Sequence, residues 1–193
     1  MEPSPGHTYI LDVCYLNESQ GYKNVLIFVC RTSSYVICIR IPSVTTDSVI
    51  KAIRHFLGIM PHPKNFKTDF GEEFSIKVSS ALAQYNINHT GKLPNRSDQQ
   101  ASAEVSIKIV KSLLHKLCSM TTHGGRTSWV TLLPQVVQSI NASHAYKSPL
   151  SRSTVFFSPY HYSNPGMILE DSFLLQGNTI DSLNMTRIRN LKN

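Results

Sequence analysis

The sequence predicts an α/β domain built on a mixed sheet, and three observations carry that reading. Residues 8–41 hold three apolar runs rich in β-branched and aromatic residues, separated only by short polar turns, the pattern of an antiparallel meander. A segment of helical period then returns the chain to a fourth strand-like run, and such a crossover sets the new strand parallel to a neighbour. Further on, residues 104–120 repeat apolar side chains at helical spacing over the longest such stretch in the chain.

The elements follow in order. Residues 8–16 (TYILDVCYL) read as the first strand, 17–23 (NESQGYK) as a turn centred on Gly21, and 24–30 (NVLIFVC) as the second strand. Residues 31–34 make a polar hairpin turn into the third strand at 35–41. Pro42 breaks the pattern, and Thr45 or Thr46 can cap a helix carrying Val49, Ile50, Ile53, Phe56 and Leu57 on one side, with Gly58 as its stop. After Pro61 and Pro63, residues 65–69 form a short strand, 74–84 a second helix and 85–89 a fifth strand. Residues 92–102 (KLPNRSDQQAS) are polar and without period, which predicts a mobile loop. In the helix that follows, Ile107, Val110, Leu113, Leu114 and Leu117 are expected to be buried. Glu104, Lys108, Lys111 and His115 are expected to share the opposite face. A further helix over 129–143 contains Pro134, a kink candidate.

The composition narrows the partners. At 193 residues and 41% hydrophobic, with mean hydropathy −0.14, the chain can form one substantial core and a short appendage. A net charge of +7 and a pI near 9.3 point to a polyanionic partner, with nucleic acid first. The four cysteines are scattered without a CxxC pair, which argues against a cysteine-built zinc site and for free thiols in a reducing compartment. The N-terminus lacks a basic and then apolar leader pattern, and the longest wholly apolar run, residues 25–30, is too short to span a bilayer. The expectation is an intracellular chain with no membrane partner.

Three acids then stand out. Asp12 lies inside the first strand, where an unpaired carboxylate would be costly to bury. Asp69 ends the crossover strand just before Gly71, and Glu104 opens the long helix after 34 intervening residues. Each has an ordinary reading alone: a hydrogen-bonded strand acid, a turn acid, and a carboxylate favoured at a helix N-terminus. Together they suggest a single oxygen-only site for Mg²⁺ or Mn²⁺.

On these residues the chain resembles the retroviral and LTR-retrotransposon integrase catalytic core, of the ribonuclease-H-like superfamily. The carriers are YILDVCYL with Asp12, KTDFGEEF with Asp69 and QQASAE with Glu104, and the resemblance spans roughly residues 8–160. PQVVQSINASH at 134–144 resembles the family's helical segment after the glutamate more loosely. Cys30 and Ala101 depart from residues common in relatives, and neither removes one of the three acids.

The resemblance implies a ribonuclease-H-like fold with a five-stranded mixed sheet flanked by helices. It implies a polynucleotidyl transferase that processes DNA 3′ ends and joins them to target DNA with two divalent ions, Mg²⁺ or Mn²⁺. Asp12 would bridge both ions, with Asp69 and Glu104 each completing one site. The three carboxylates should then lie within about 4–8 Å of one another, as ions about 3.5–4 Å apart require. Lys108 and Lys111 would hold the donor DNA, joined by Lys92, Arg96, Gln99 and Gln100. The expected organisation is a disordered segment 1–7, a core 8–160 and an extension 161–193 with a basic end, the core standing alone or as a polyprotein fragment. The partners would be element ends, target DNA and a second copy at least, acting in the nucleus or within a virus-like particle. The rival readings are a domesticated DNA-binding or assembly protein without catalysis, and a ribonuclease-H-like nuclease acting on RNA–DNA hybrids.

Overall fold

The computed structural model describes residues 4–69, 71–91, 98–122, 128–144 and 148–157, apart from the side chains of 98–103 and 120–122. Five strands form one sheet: β1 (Thr8–Ser19), β2 (Tyr22–Cys30), β3 (Val36–Ile41), β4 (Asn65–Thr68) and β5 (Asn88–Gly91). Their spatial order is β3-β2-β1-β4-β5. The first three run antiparallel, while β4 and β5 run parallel to β1. This is the mixed five-stranded sheet of the ribonuclease-H-like fold, flanked by helices as expected.

Strand alternation divides the core into two layers. Tyr9, Leu11, Val13, Leu26, Phe28 and Phe66 point to one side, where helix α1 (Thr46–Ile59) and helix α2 (Ile76–Ala83) cover them. Phe28 stacks on Phe56 of α1 at 4.4 Å between ring centroids, and Tyr9 meets the same ring edge-on at 4.9 Å. Ile10, Cys14, Val25, Ile27 and Val29 point to the other side, under helix α3 (Asp98–Thr122) and helix α4 (Trp129–Ala142). β1 and β2 are apolar on both faces because both faces are covered.

Several boundaries differ from the sequence reading, for physical reasons. The first hairpin closes on two residues, Gln20 and Gly21, both at positive φ (52° and 79°), so the flanking strands extend further than expected. Gly58 does not end α1. The helix continues to Ile59 and stops at Met60, whose φ of −124° and ψ of 150° are extended, as a residue preceding a proline prefers. Thr45 is the cap, its hydroxyl accepting from Ser48 N at 3.3 Å. A single 3₁₀ turn, Glu72–Phe74, precedes α2. Residues 4–7, expected to be disordered, are held in place: His7 N donates to Ser4 O at 3.1 Å, and His7 O accepts from Lys64 N and Asn65 N.

The sequence reading did not include α5 (Arg152–Phe157), a helix of six residues. Its Arg152 is 4% exposed, and its Nη1 donates to Ile140 O, Ser143 O, Ser143 Oγ and His144 O at 2.6–3.3 Å. One guanidinium thus adds a charged donor to the carbonyls at and just beyond the end of α4, beside the bonds Ile140 O and Ser143 O accept from Ser143 N and Arg152 N. Asn141, also buried, fastens α4 to the sheet edge. Its Oδ1 accepts from Val36 N at 2.8 Å, and its Nδ2 donates to Val36 O at 2.7 Å. Asn141→Ala removes the partner of both the N–H and the C=O of buried Val36 and is expected to cost about 2–4 kcal/mol. Thermal unfolding together with faster exchange of the Val36 amide checks this, and an unchanged melting temperature would contradict it.

Candidate active site

β4 pairs with β1 in the register Thr8↔Asn65, Tyr9↔Phe66 and Ile10↔Lys67. Two residues past the last pair stand Asp12 on β1 and Asp69 just beyond the end of β4. Strand period then puts both acids on the face that carries Ile10, the face covered by α3. Asp12 is half-buried, and its Oδ1 accepts from Val13 N at 2.8 Å. Asp69 is exposed, and its Oδ1 accepts from Gly71 N at 3.3 Å, which turns the chain out of the strand. Over Gly71 folds the carboxylate of Glu73, so closely that a Cβ at Gly71 would overlap it.

The end of β4 is pinned from below. Thr68, fully buried, meets His89 Nε2 on β5 at 2.9 Å, and Ser79 of α2 meets His89 Nδ1 at 2.7 Å. Burial holds the His89 pKa below its ordinary 6.5.

α3 supplies the third side. Its buried stripe is Ile107, Val110, Leu114 and Cys118, whereas Leu113 is 38% exposed. Cys118 in place of Leu113 turns the stripe toward the charged residues. At about 100° per residue, Lys111 lies only about 40° and Glu104 about 60° from Ile107 around the axis. The face expected to be opposite the core is therefore its shoulder. Lys111 Nζ sits 3.0 Å from Asp12 Oδ2, the two side chains 33% and 20% exposed. One turn on, His115 Nε2 approaches Cys14 Sγ at 3.8 Å. Lys108 is exposed.

Glu104 does not open the helix. α3 begins at Asp98, so Glu104 sits beyond the first turn, where the macrodipole no longer favours a carboxylate. It is exposed, on the same shoulder as Lys111 and about 10 Å before it along the axis. Among the described residues no three His, Cys, Asp or Glu side chains are grouped so as to hold a metal ion. The expected three-acid metal group is therefore not formed among the described residues; Asp12 and Asp69 share one face of the sheet, and a lysine stands beside Asp12. Like charges repel until a cation arrives, and here the cation is the Lys111 ammonium. Gln99 and Gln100, expected in a loop, lie in α3. Lys92 and Arg96 lie outside the described residues.

Tyr15, which the sequence reading passed over, is 60% exposed near the same end of β1, on the face opposite Asp12. Its phenol pKa is raised, first by partial burial and then by the charges of Glu73, Asp12 and Asp69, with Lys111 acting in the opposite sense. Four charged side chains from three segments thus act on one exposed ring.

The buried His89 makes a pH prediction. Its folded-state pKa lies below 6.5, so as pH falls the unfolded chain takes up the proton first. His89 contributes its full stability above pH 6.5 and loses it progressively toward the lower, folded-state pKa. Chemical denaturation across that interval should show stability falling with pH, and His89→Gln should flatten that part of the slope. An equal slope in both proteins would rule His89 out as the cause.

Residues 2–97 match the family described as integrase core domain. Among solved structures, the catalytic core domain of BIV integrase superposes with a TM-score of 0.65 at 16% identity, over 82% of this chain and 98% of the other. The HTLV-2 integrase catalytic core domain in complex with magnesium gives 0.62 at 20% identity, over 81% and 98%. A chain of the simian T-cell lymphotropic virus intasome in complex with PP2A regulatory subunit B56 gamma gives 0.66 at 17% identity, over 81% of this chain but 56% of that one. This chain thus spans little more than half of that relative's length. No curated protein matches in sequence. The family match ends before Glu104, and beyond residue 97 the kinship rests on the fold. Residues 2–97 thus match the integrase core domain family, and the chain shares the fold of retroviral integrase catalytic cores.

Proposed function

We propose that this chain is the core of a retroelement polynucleotidyl transferase that processes DNA 3′ ends and joins them to target DNA, using two divalent ions, Mg²⁺ or Mn²⁺. One observation carries the reading: Asp12 and Asp69 hold equivalent positions on neighbouring parallel strands, beside a helix whose sheet-facing shoulder bears Glu104. The donors are all carboxylate oxygens, and Asp12 already draws a cation to within 3.0 Å, so the residues fit a hard divalent ion. The magnesium complex of the HTLV-2 core supports the same choice. Bound ions at such a site supply Lewis-acid activation of the attacking oxygen and stabilisation of the leaving one.

The chain's own residues then divide the work. Asp12 would be the shared ligand, with Asp69 and Glu104 completing one position each. Lys108 and Lys111 on α3, and Lys92, Arg96, Gln99 and Gln100 before them, would hold the DNA backbone and bring the scissile phosphate over the acids. The basic charge of +7 draws the polyanion in. The core extends over residues 8–160 and acts in the nucleus as an oligomer, since target DNA lies there and two DNA ends need two copies. An open groove of about 860 Å³ along the outer edge of β3, between α1 and α4, offers an apolar face for a second copy.

The test is a strand-joining assay with labelled duplex DNA, run beside cleavage of an RNA–DNA hybrid. The wild type should join strands, and Glu104→Gln should lower joining by about two orders of magnitude or more with DNA binding intact. Lys108→Ala should keep the chemistry but weaken DNA binding on every sequence, with a salt slope smaller by roughly one unit. Hybrid cleavage without joining would replace this reading with a nuclease. DNA binding with neither activity, in a metal-supplemented wild type, would replace it with an assembly protein.

A further inference from the structure

Two ion pairs are present among the described residues, and they differ in kind. Lys23 and Glu18 meet at 3.0 Å with both side chains about three-fifths exposed, a surface pair of small consequence. Lys111 and Asp12 meet at the same distance between the sheet and α3, at 33% and 20% exposure. The Lys111 stem leans on the shoulder of the buried stripe, as long cationic side chains do, and delivers its ammonium to Oδ2. The other oxygen, Oδ1, is held by Val13 N. Oδ2 is therefore the oxygen at which an exogenous cation and Lys111 must compete.

We propose that Lys111 is an exchangeable counter-cation of Asp12. A divalent ion that takes Oδ2 displaces the ammonium, and the freed ammonium is then available to a DNA phosphate on the same helix face. This rests on the metal-dependent reading above and adds a coupling to it: metal and DNA each raise the affinity of the other, by the same factor, because each favours the released position of one lysine. The lysine also gives Asp12 a partner, so a half-buried carboxylate is not left with an uncompensated charge. Lys111 acts here as a positioning residue through Asp12 and the DNA, with no contact to reacting atoms required of it.

The full chain serves for the test. Mn²⁺ binding is followed by the loss of the free-ion electron paramagnetic resonance signal. Binding of a short labelled duplex is followed by fluorescence anisotropy with and without Mn²⁺. Lys111→Met keeps the apolar stem and removes the competing charge, so it should bind Mn²⁺ about fivefold tighter or more than the wild type without DNA. The wild type should gain more DNA affinity from Mn²⁺ than Lys111→Met gains. Lys108→Met removes an equal charge from the exposed side of the same turn, and its Mn²⁺ affinity should change less than twofold. Equal tightening in both lysine variants would reduce the effect to a general field and overturn the exchange. Unchanged or weaker Mn²⁺ binding in Lys111→Met would overturn it as well. Should Lys111→Met not fold, Lys111→Gln carries the same expectation. Asp12→Asn separates the two readings: if it binds Mn²⁺ as the wild type does, the metal site itself is wrong. If it loses Mn²⁺ while Lys111→Met stays at wild-type affinity, only the exchange is.

Discussion

The parallel pairing of β4 on β1 is the constraint on which the rest depends. Three backbone register pairs, Thr8↔Asn65 through Ile10↔Lys67, determine where Asp69 stands relative to Asp12. A slip of one residue would send Asp69 to the opposite face of the sheet, under α1. The register is held at several points. His7 O receives both Lys64 N and Asn65 N at the start of β4, and Thr68 and His89 meet at its end. Phe66 is wedged among Tyr9, Phe28 and Phe56. Long-range pairing of this type closes a loop of more than fifty residues, and the aromatic cluster beneath it offsets that entropy.

A second principle is visible in α3. The helix packs through one apolar stripe, yet the charged residue that meets the sheet stands beside the stripe and not opposite it. A side chain on the shoulder has a buried stem and a reachable tip, so Lys111 can meet a carboxylate from the sheet and still face the cleft. Lys108 and His115, one turn to either side, are exposed.

The strands were legible in the sequence because β1 and β2 are covered on both faces and read as unbroken apolar runs. The common face of Asp12 and Asp69 follows from the pairing of β4 on β1, and in the sequence each acid alone also had an ordinary reading. Other features were hidden for local reasons. Asp98, Gln99 and Gln100 are polar and carry no period, so the first turns of α3 looked like loop; tertiary context prevailed over propensity there. Leu113 fits the helical period as well as Leu114 does, and only packing decides that Cys118 is buried and Leu113 is not. That choice moves the stripe by a fraction of a turn and converts Lys111 from a supposed surface lysine into a partner of Asp12. Helix α5 is too short to leave a periodic signal, and no pattern rule predicts a buried arginine that chelates carbonyls.

The guanidinium of Arg152 has an implication for the order in which this domain matures. β1 and β2 zip through a hairpin of neighbours, and α4 can dock as soon as the sheet exists. Three carbonyls and the Ser143 hydroxyl at the end of α4, however, gain a bond each from a residue further along the chain than α4 itself. A ribosome-bound chain that has not yet released residue 152 would hold a formed sheet beneath a frayed final turn. Because Asn141, the clamp on Val36, sits in that same turn, this one clamp on the edge strand would stay loose until the arginine arrives. In the growing chain the last described helix is thus what completes the anchorage of α4 to the first residue of β3.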